Sequence, residues 1–408
     1  MWVVSRASGP PANRAAVTGT ATEAAIAAVY DEMVDTRRVV HRRPELAFNE
    51  YATTALIRDR MAALDIGELT RVTETGGIFA FDGGRPGRNV VLRADIDALP
   101  IQEDAATPLR SDVDGTMHAC GHDVHVASLL GVARALGARR DELPGRYIFL
   151  FQPAEEALCG AKRMVEGGAL DVIGDARLVG FHVTSQIPTG IVTLREGIAM
   201  SEAHALRITL VGPGGHGAIP AAHGDVIKAT ADLVSRLGAV ATGLLYEGAS
   251  CVCSAGMLSA GTAVNVVPTT ATISGTLRTF TDAQREEAFL RLRVVCDAIA
   301  DAHGVQVELE VPEHTPQVVN DAAVTDLVEA ASQDLLGREH VIRTPPHSPS
   351  DDVSEFLSRL PGCYFFVGGA NAEGTSGMHH SPTFSVDDAA LRVGASVVLR
   401  SAIAMAAP

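Results

Sequence analysis

Nine consecutive residues, Met117-His118-Ala119-Cys120-Gly121-His122-Asp123-Val124-His125, hold one thiol, three imidazoles and a carboxylate immediately before an apolar helical stretch. Sulfur combined with imidazole nitrogen suits zinc or a neighbouring transition metal. A solvated helix start capped by Asp123 explains any one of these side chains but poorly explains all five. A second group, Phe151-Gln152-Pro153-Ala154-Glu155-Glu156, sets two carboxylates directly after an apolar strand. Adjacent acids repel, and the repulsion eases if one binds a cation while the other, its pKa lifted, works as a base. Taken alone, an acidic loop is the commoner reading. Two histidine segments follow, Gly180-Phe181-His182-Val183 and Met378-His379-His380-Ser381-Pro382, and neither has zinc-finger or His-Glu-x-x-His spacing. A buried histidine satisfied by a carbonyl is commoner than a ligand, so their weight comes from following strands of one predicted sheet. One thiolate, three imidazoles and two carboxylates drawn from these segments are already more donors than one tetrahedral ion uses. Two ions about 3.5–4 Å apart, clamping an attacking water, would use them, and that chemistry is hydrolysis.

The elements that must carry these groups alternate. A helical pattern runs from Thr22 to Val40 after a frayed arm over the first 20 residues. Apolar strand-length runs at Gly77–Phe81, Asn89–Leu92, Tyr147–Phe151 and Leu178–His182 then alternate with helical stretches at Val124–Leu136 and Gly160–Glu166. That alternation predicts an α/β fold with a parallel sheet covered by helices on both faces. Between about Glu202 and Glu310 the order becomes strand (Leu206–Val211), helix (Asp225–Leu237), two strands (Ser250–Met257, Thr270–Thr279), helix (Asp282–His303) and strand (Val305–Glu310). This is the split β-α-β pattern of a ferredoxin-like α+β unit. Alternation resumes with a helix at Val324–Leu336, a strand at Cys363–Val367 and a closing helix at Asp387–Ala406. The simplest division is a discontinuous larger domain, 1–200 and 311–408, with 201–310 inserted.

Composition removes other functions. The chain has 408 residues, 49 acidic against 33 basic, a formal charge of −16 and 4% aromatic residues. It lacks the basic footprint and the stacking rings of a nucleic-acid binder. Lys162 and Lys228 are its two lysines and neither follows a glycine, so no phosphate-binding P-loop can be written. The six scattered cysteines form no Cys-x-x-Cys, and Met1–Arg6 opens no signal sequence; reduced thiols and a cytoplasmic, membrane-free protein are expected. No uninterrupted apolar run approaches the roughly 18 residues of a membrane span. Two decoys fail. Gly212-Pro213-Gly214-Gly215-His216-Gly217 satisfies G-x-G-x-x-G, but Pro220 interrupts the helix that should follow and no strand-terminal acid lies about 20 residues on. No G-x-S-x-G elbow occurs.

In order, the segments His41-Arg42-Arg43-Pro44-Glu45 with Glu50, Leu92–Pro100, Met117–His125, Gln152–Glu156, Gly212–Pro220, Gly261–Pro268, Gly275–Thr279 and His380-Ser381-Pro382-Thr383-Phe384 resemble the M20 metallopeptidases. The resemblance is narrower to the aminoacylase/amidohydrolase branch, which includes hippurate and auxin-conjugate hydrolases. It implies a zinc-peptidase-like catalytic domain with an inserted lid that dimerises, giving a homodimer or a higher oligomer. It implies two divalent ions (zinc, manganese, cobalt or nickel) held by Cys120, His122, Glu156, His182 and His380, with Cys120 bridging. Glu155 becomes the general base and Asp95 an outer group fixing an imidazole. From the lid, His216 would reach the partner subunit's site and steady the oxyanion, with Asn265 nearby, while Arg278 would hold the substrate carboxylate. The implied reaction cleaves an N-acyl amino acid; a dipeptidase of the same fold is the close alternative, and a non-catalytic metal-binding homologue the remote one. The chain departs from the branch at Ala157-Leu158-Cys159, where glycines are usual, and at Ser350-Asp351-Asp352-Val353, where Ser-Glu-Asp-Phe is usual. Pro213 and the Pro220-Ala221-Ala222-His223 step also differ.

Overall fold

The computed structural model describes residues 19–107, 109–219, 224–372, 374 and 376–408. Residues 1–18 of the expected arm and Pro220–His223 lie outside them. Helices α1 (Gly19–Arg42) and α2 (Tyr51–Ala63) lead into strands β1 (Gly67–Thr70), β2 (Gly77–Asp82) and β3 (Arg85–Asp95). Helix α3 (His122–Gly137), β4 (Pro144–Gln152), α4 (Gly160–Glu166), β5 (Ala176–Pro188) and β6 (Val192–Leu194) follow. A second sheet then takes β7 (Glu202–Val211), α5 (Val226–Val240), β8 (Val252–Ala260), β9 (Thr270–Thr279), α6 (Asp282–His303), β10 (Gln306–Glu310) and β11 (His314–Thr315). The chain returns through α7 (Ala322–Leu336), β12 (Val341–Arg343) and β13 (Gly362–Ala370) to α8 (Ala389–Ala406).

The main sheet has eight strands in the order β1-β2-β4-β3-β5-β13-β6-β12. Its centre, β4-β3-β5-β13, is parallel, as the alternation predicts. The expectation of a wholly parallel sheet is corrected at the edges: β1–β2, β2–β4 and β13–β6 are antiparallel. Only three residues separate Pro188 from Val192. A parallel return needs a crossover of a dozen or more residues, so β6 must run against β5 and β13. In β4 the side chains of Tyr147, Phe149 and Phe151 enter the core beneath α1, α3 and α8, while Ile148 and Leu150 enter a second core with Met164, Leu178 and Phe356. A strand buried on both faces reads as one apolar run, which is why Tyr147–Phe151 stood out in the sequence. Helix α8 is long and apolar enough to cross a membrane by length and composition, yet it carries Arg392 and Arg400 and two-thirds of it is buried in this core.

The second sheet, β8-β9-β7-β10, is antiparallel throughout. It follows the predicted strand-helix-strand-strand-helix-strand order. Leu206, Ile208 and Leu210 alternate inward along β7 against Leu233 of α5 and Leu292 of α6, forming a core of their own.

Candidate active site

Five segments converge at the carboxyl ends of β3, β4, β5 and β13, where ligands of open α/β sheets sit. Cys120 and His122 flank Gly121, whose φ of +87° starts α3; a Cβ there would lie 2.4 Å from Val183 Cγ1, so only glycine makes this turn. Beyond β4, Ala154 and Leu158 adopt φ of 54° and 53° on either side of the glutamate pair, and His380 takes 60°. Non-glycine residues are held in this region only where surrounding contacts fix them. Buried Glu50 supplies one such contact, accepting hydrogen bonds from Ala154 N at 2.8 Å and from the Thr75 hydroxyl at 2.6 Å. Asp97 supplies another, accepting from Glu156 N at 3.0 Å.

The side chains form two groups of potential ligands that share Cys120: Cys120, His122 and His182, and Cys120, Glu156 and His380. Cys120 Sγ lies 3.4 Å from His182 Nε2, and Glu156 Oε1 lies 3.3 Å from His380 Nε2. Ring orientations turn the Nε2 atoms of His182 and His122 toward Cys120 and the glutamate pair. His182 Nδ1 is 2.7 Å from Val183 O, so it carries the proton and Nε2 does not; His122 Nδ1 meets Asp97 O at 2.9 Å. His122 Nε2 is buried without a hydrogen-bond partner among the described residues. Orphaned atoms of this kind, with outer groups fixing the rings, are what a metal site requires.

The charge balance agrees. Asp95, Asp97, Glu155, Glu156, Asp351 and Asp352 crowd the site, and Arg93 is the cation bound among them. Burial, followed by the charges of Asp351, Glu156, Asp352 and Asp95, pushes Glu155 well above the ordinary carboxylate value. Burial with Glu156 and Glu155 also holds the Cys120 thiol up. At His122 burial works downward, but Asp95, Asp97 and Glu156 outweigh it and raise the imidazole to about 10. The site therefore attracts positive charge, and divalent ions would displace protons from the thiol and the imidazole.

Asp95 meets His125 Nδ1 at 2.5 Å, and His125 Nε2 accepts from Val183 N at 2.9 Å, so His125 has no free nitrogen for an ion. The imidazole that Asp95 fixes is thus His125, while Asp97, absent from the sequence-based site, fixes His122. Arg278 lines the same cleft of about 700 Å³ as Cys120, Glu155, Glu156 and His182. It donates to Ser350 Oγ at 3.0 Å and has no ion pair among the described residues. His216 lies on a short two-stranded ribbon opposite Val266, with Asn265 at its end where Gly217 N bonds Asn265 O at 2.8 Å, and neither lines this cleft of their own chain. Asp351 is buried and paired to Arg93 at 3.0 Å; Arg93 also bonds Asp95 and Gln152, and Gln152 bonds Asp352. His379 Nδ1 approaches Cys120 Sγ at 3.6 Å. A pair of adjacent histidines is visible in the sequence, but nothing there separates their roles. The signal for Asp97 is its place two residues beyond Asp95 in the same stretch.

Residues 91–404 match the model of peptidase family M20/M25/M40. N-acetylcysteine deacetylase of Bacillus subtilis (strain 168) is 35% identical over 382 residues, 92% of this chain and 97% of that protein. IAA-amino acid hydrolase ILR1-like 2 of Arabidopsis thaliana is 35% identical over 373 residues, 90% of this chain and 84% of its own length. Among solved structures, a Bacillus subtilis dinuclear metal-binding peptidase from family M20 superposes with a TM-score of 0.74 at 32% identity, covering 93% of this chain and 98% of that one.

Proposed function

The chain belongs to peptidase family M20/M25/M40, and from that membership and the geometry of its cleft we propose a dinuclear-metal amidohydrolase. It cleaves the amide bond of an N-acyl amino acid to a carboxylate and a free amino acid. One observation carries the reading: two donor groups sharing Cys120 stand beside an elevated Glu155 in a cleft that also presents an unpaired arginine, Arg278. Deacetylase and amino-acid-conjugate hydrolase relatives at 35% identity support it.

Cys120, His122 and His182 would hold one ion and Cys120, Glu156 and His380 the other. Bound zinc, manganese, cobalt or nickel would polarise the amide carbonyl and lower the pKa of the attacking water. Glu155 takes a proton from the attacking water as its oxygen bonds to the carbonyl carbon, and delivers that proton to the nitrogen as the C–N bond breaks. Arg278, steered by Ser350, grips the substrate carboxylate through its planar guanidinium. Asp97 and Asp95 keep His122 and His125 in one orientation. Residues 201–310 act as a lid and pair two subunits into a homodimer or a higher oligomer; His216 and Asn265 then serve the partner subunit's cleft. Their absence from the lining of their own cleft and the exposed Met257 and Leu258 of edge strand β8 support this arrangement. Six unpaired cysteines support a cytoplasmic setting.

Chelator-treated protein, reloaded with zinc, manganese, cobalt or nickel, should hydrolyse hippurate-like N-acyl amino acids faster than simple dipeptides. Faster turnover of dipeptides would favour the peptidase reading, and inactivity on both would refute the proposal.

A further inference from the structure

Away from the cleft, the chain crosses between its two sheets twice, entering β7 at Glu202 and leaving through β11. A separate set of donors stands at these crossings. Strand β11 pairs with the start of β7 so that His314 lies opposite His204. Glu202, two residues before His204, shares its face of the strand. The two imidazoles stack with centroids 4.4 Å apart, and both Nε2 atoms approach one carboxylate oxygen: Glu202 Oε2 is 3.3 Å from His314 Nε2 and 3.6 Å from His204 Nε2. Zinc–nitrogen and zinc–oxygen bonds of about 2.0–2.1 Å at the tetrahedral angle put neighbouring donors about 3.3–3.5 Å apart. The two nitrogen-to-oxygen distances, 3.3 and 3.6 Å, are close to that spacing, and the three donor atoms all lie within 4.8 Å of one another.

The surroundings favour a ligand role over a simple ion pair. Glu202 is buried, and Oε1 accepts the Thr279 hydroxyl at 2.5 Å while Oε2 accepts Arg285 Nη1 at 3.0 Å. Asp282 in turn bonds the other amino group of Arg285 at 2.9 Å. Such outer donors orient a ligating carboxylate. Burial acts to raise Glu202, and the facing imidazoles with Thr279 outweigh it, so the group stays ionised. His204 is 6% exposed, its ring meets Phe289 at 5.3 Å in an edge arrangement, and its Nε2 has no hydrogen-bond partner among the described residues. An ion pair between Glu202 and Arg285 leaves that nitrogen unsatisfied in the interior, at a cost that coordination removes.

We propose that Glu202, His204 and His314 bind one divalent transition-metal ion of the zinc class, separate from the catalytic pair, which staples β7 to β11 and fixes the crossing between the two sheets. The test titrates metal-depleted full-length protein with zinc chloride, removes free ion by gel filtration and counts bound zinc by elemental analysis. Wild type should retain one equivalent more than either His204→Gln or His314→Gln. His314 is half exposed, with 44% of its side chain accessible, so its variant keeps the fold if that of His204 does not. The catalytic residues are intact in every protein compared, so the difference reads this cluster whether the cleft holds two ions or none. Equal zinc in wild type and His314→Gln would show that the cluster is an ion pair alone and would overturn the proposal.

Discussion

Glu155 and Glu156 are neighbours of the same type with opposite tendencies, and the difference lies in what faces them. His380 and His122 outweigh burial at Glu156 and hold it below the ordinary value, whereas burial among four other acids lifts Glu155. In the proposed mechanism Glu156 is the ligand and Glu155 the proton carrier. Glu155→Gln should lower kcat by about 10²–10⁴ while bound metal, counted by elemental analysis, stays at wild-type level; retention of most of the rate would remove Glu155 from its role. Arg278→Ala deletes a charge-assisted contact of about 1.5–3 kcal/mol, so KM for an N-acyl amino acid should rise about tenfold to a hundredfold. KM for the corresponding N-acyl amino amide, which lacks the carboxylate, should not move. Donor types could be read from the sequence because a thiol and imidazoles stand out in an apolar context. Supporting carboxylates could not: Glu50, Asp97 and Asp351 resemble surface acids until the fold buries them against Ala154 N, His122 and Arg93. Asp351, one methylene shorter than the usual acid, still reaches its arginine.

Helix α3 presents Cys120 and His122, and what anchors it is a buried ionic cluster rather than apolar packing alone. Asp123, in its first turn, meets Arg37 of α1 at 2.9 Å and His41 Nδ1 at 3.0 Å, and His41 Nε2 meets Glu103 at 3.1 Å. Burial alone would lower His41, but Asp123 and Glu103 outweigh it and raise the imidazole to about 9. A folded pKa above the unfolded 6.5 stabilises fully below pH 6.5 and is lost as pH rises through 9. The shift corresponds to about 3 kcal/mol. In urea unfolding, the stability gap between wild type and His41→Gln should therefore be widest near pH 6 and narrow by pH 10; a constant gap would contradict the assignment. Element types and order were legible because strands buried on both faces read as apolar runs and helices as 3.6-residue stripes. Antiparallel edges were not, since β6 is three residues long and its direction follows from the length of a turn, not from any pattern.

At the scale of the whole molecule, the proposed mechanism divides its work between the two sheets: the larger would carry the donors and the general base, and the smaller carries Arg278, with His216 and Asn265 on a short ribbon beside it. If His216 serves the partner subunit, mixing His216→Ala with Glu155→Gln should restore activity. A mixed dimer has one site with both residues intact, so random pairing should yield about a quarter of the wild-type rate. Action within one chain predicts no recovery. Everything rests on Cys120 standing between two ions, and crystals of the reconstituted enzyme, with anomalous scattering recorded at the metal edge, examine that directly. The account predicts two peaks about 3.5–4 Å apart with Cys120 Sγ between them, one ligated by His122 and His182 and the other by Glu156 and His380. A single peak, or peaks that do not touch Cys120, would contradict it.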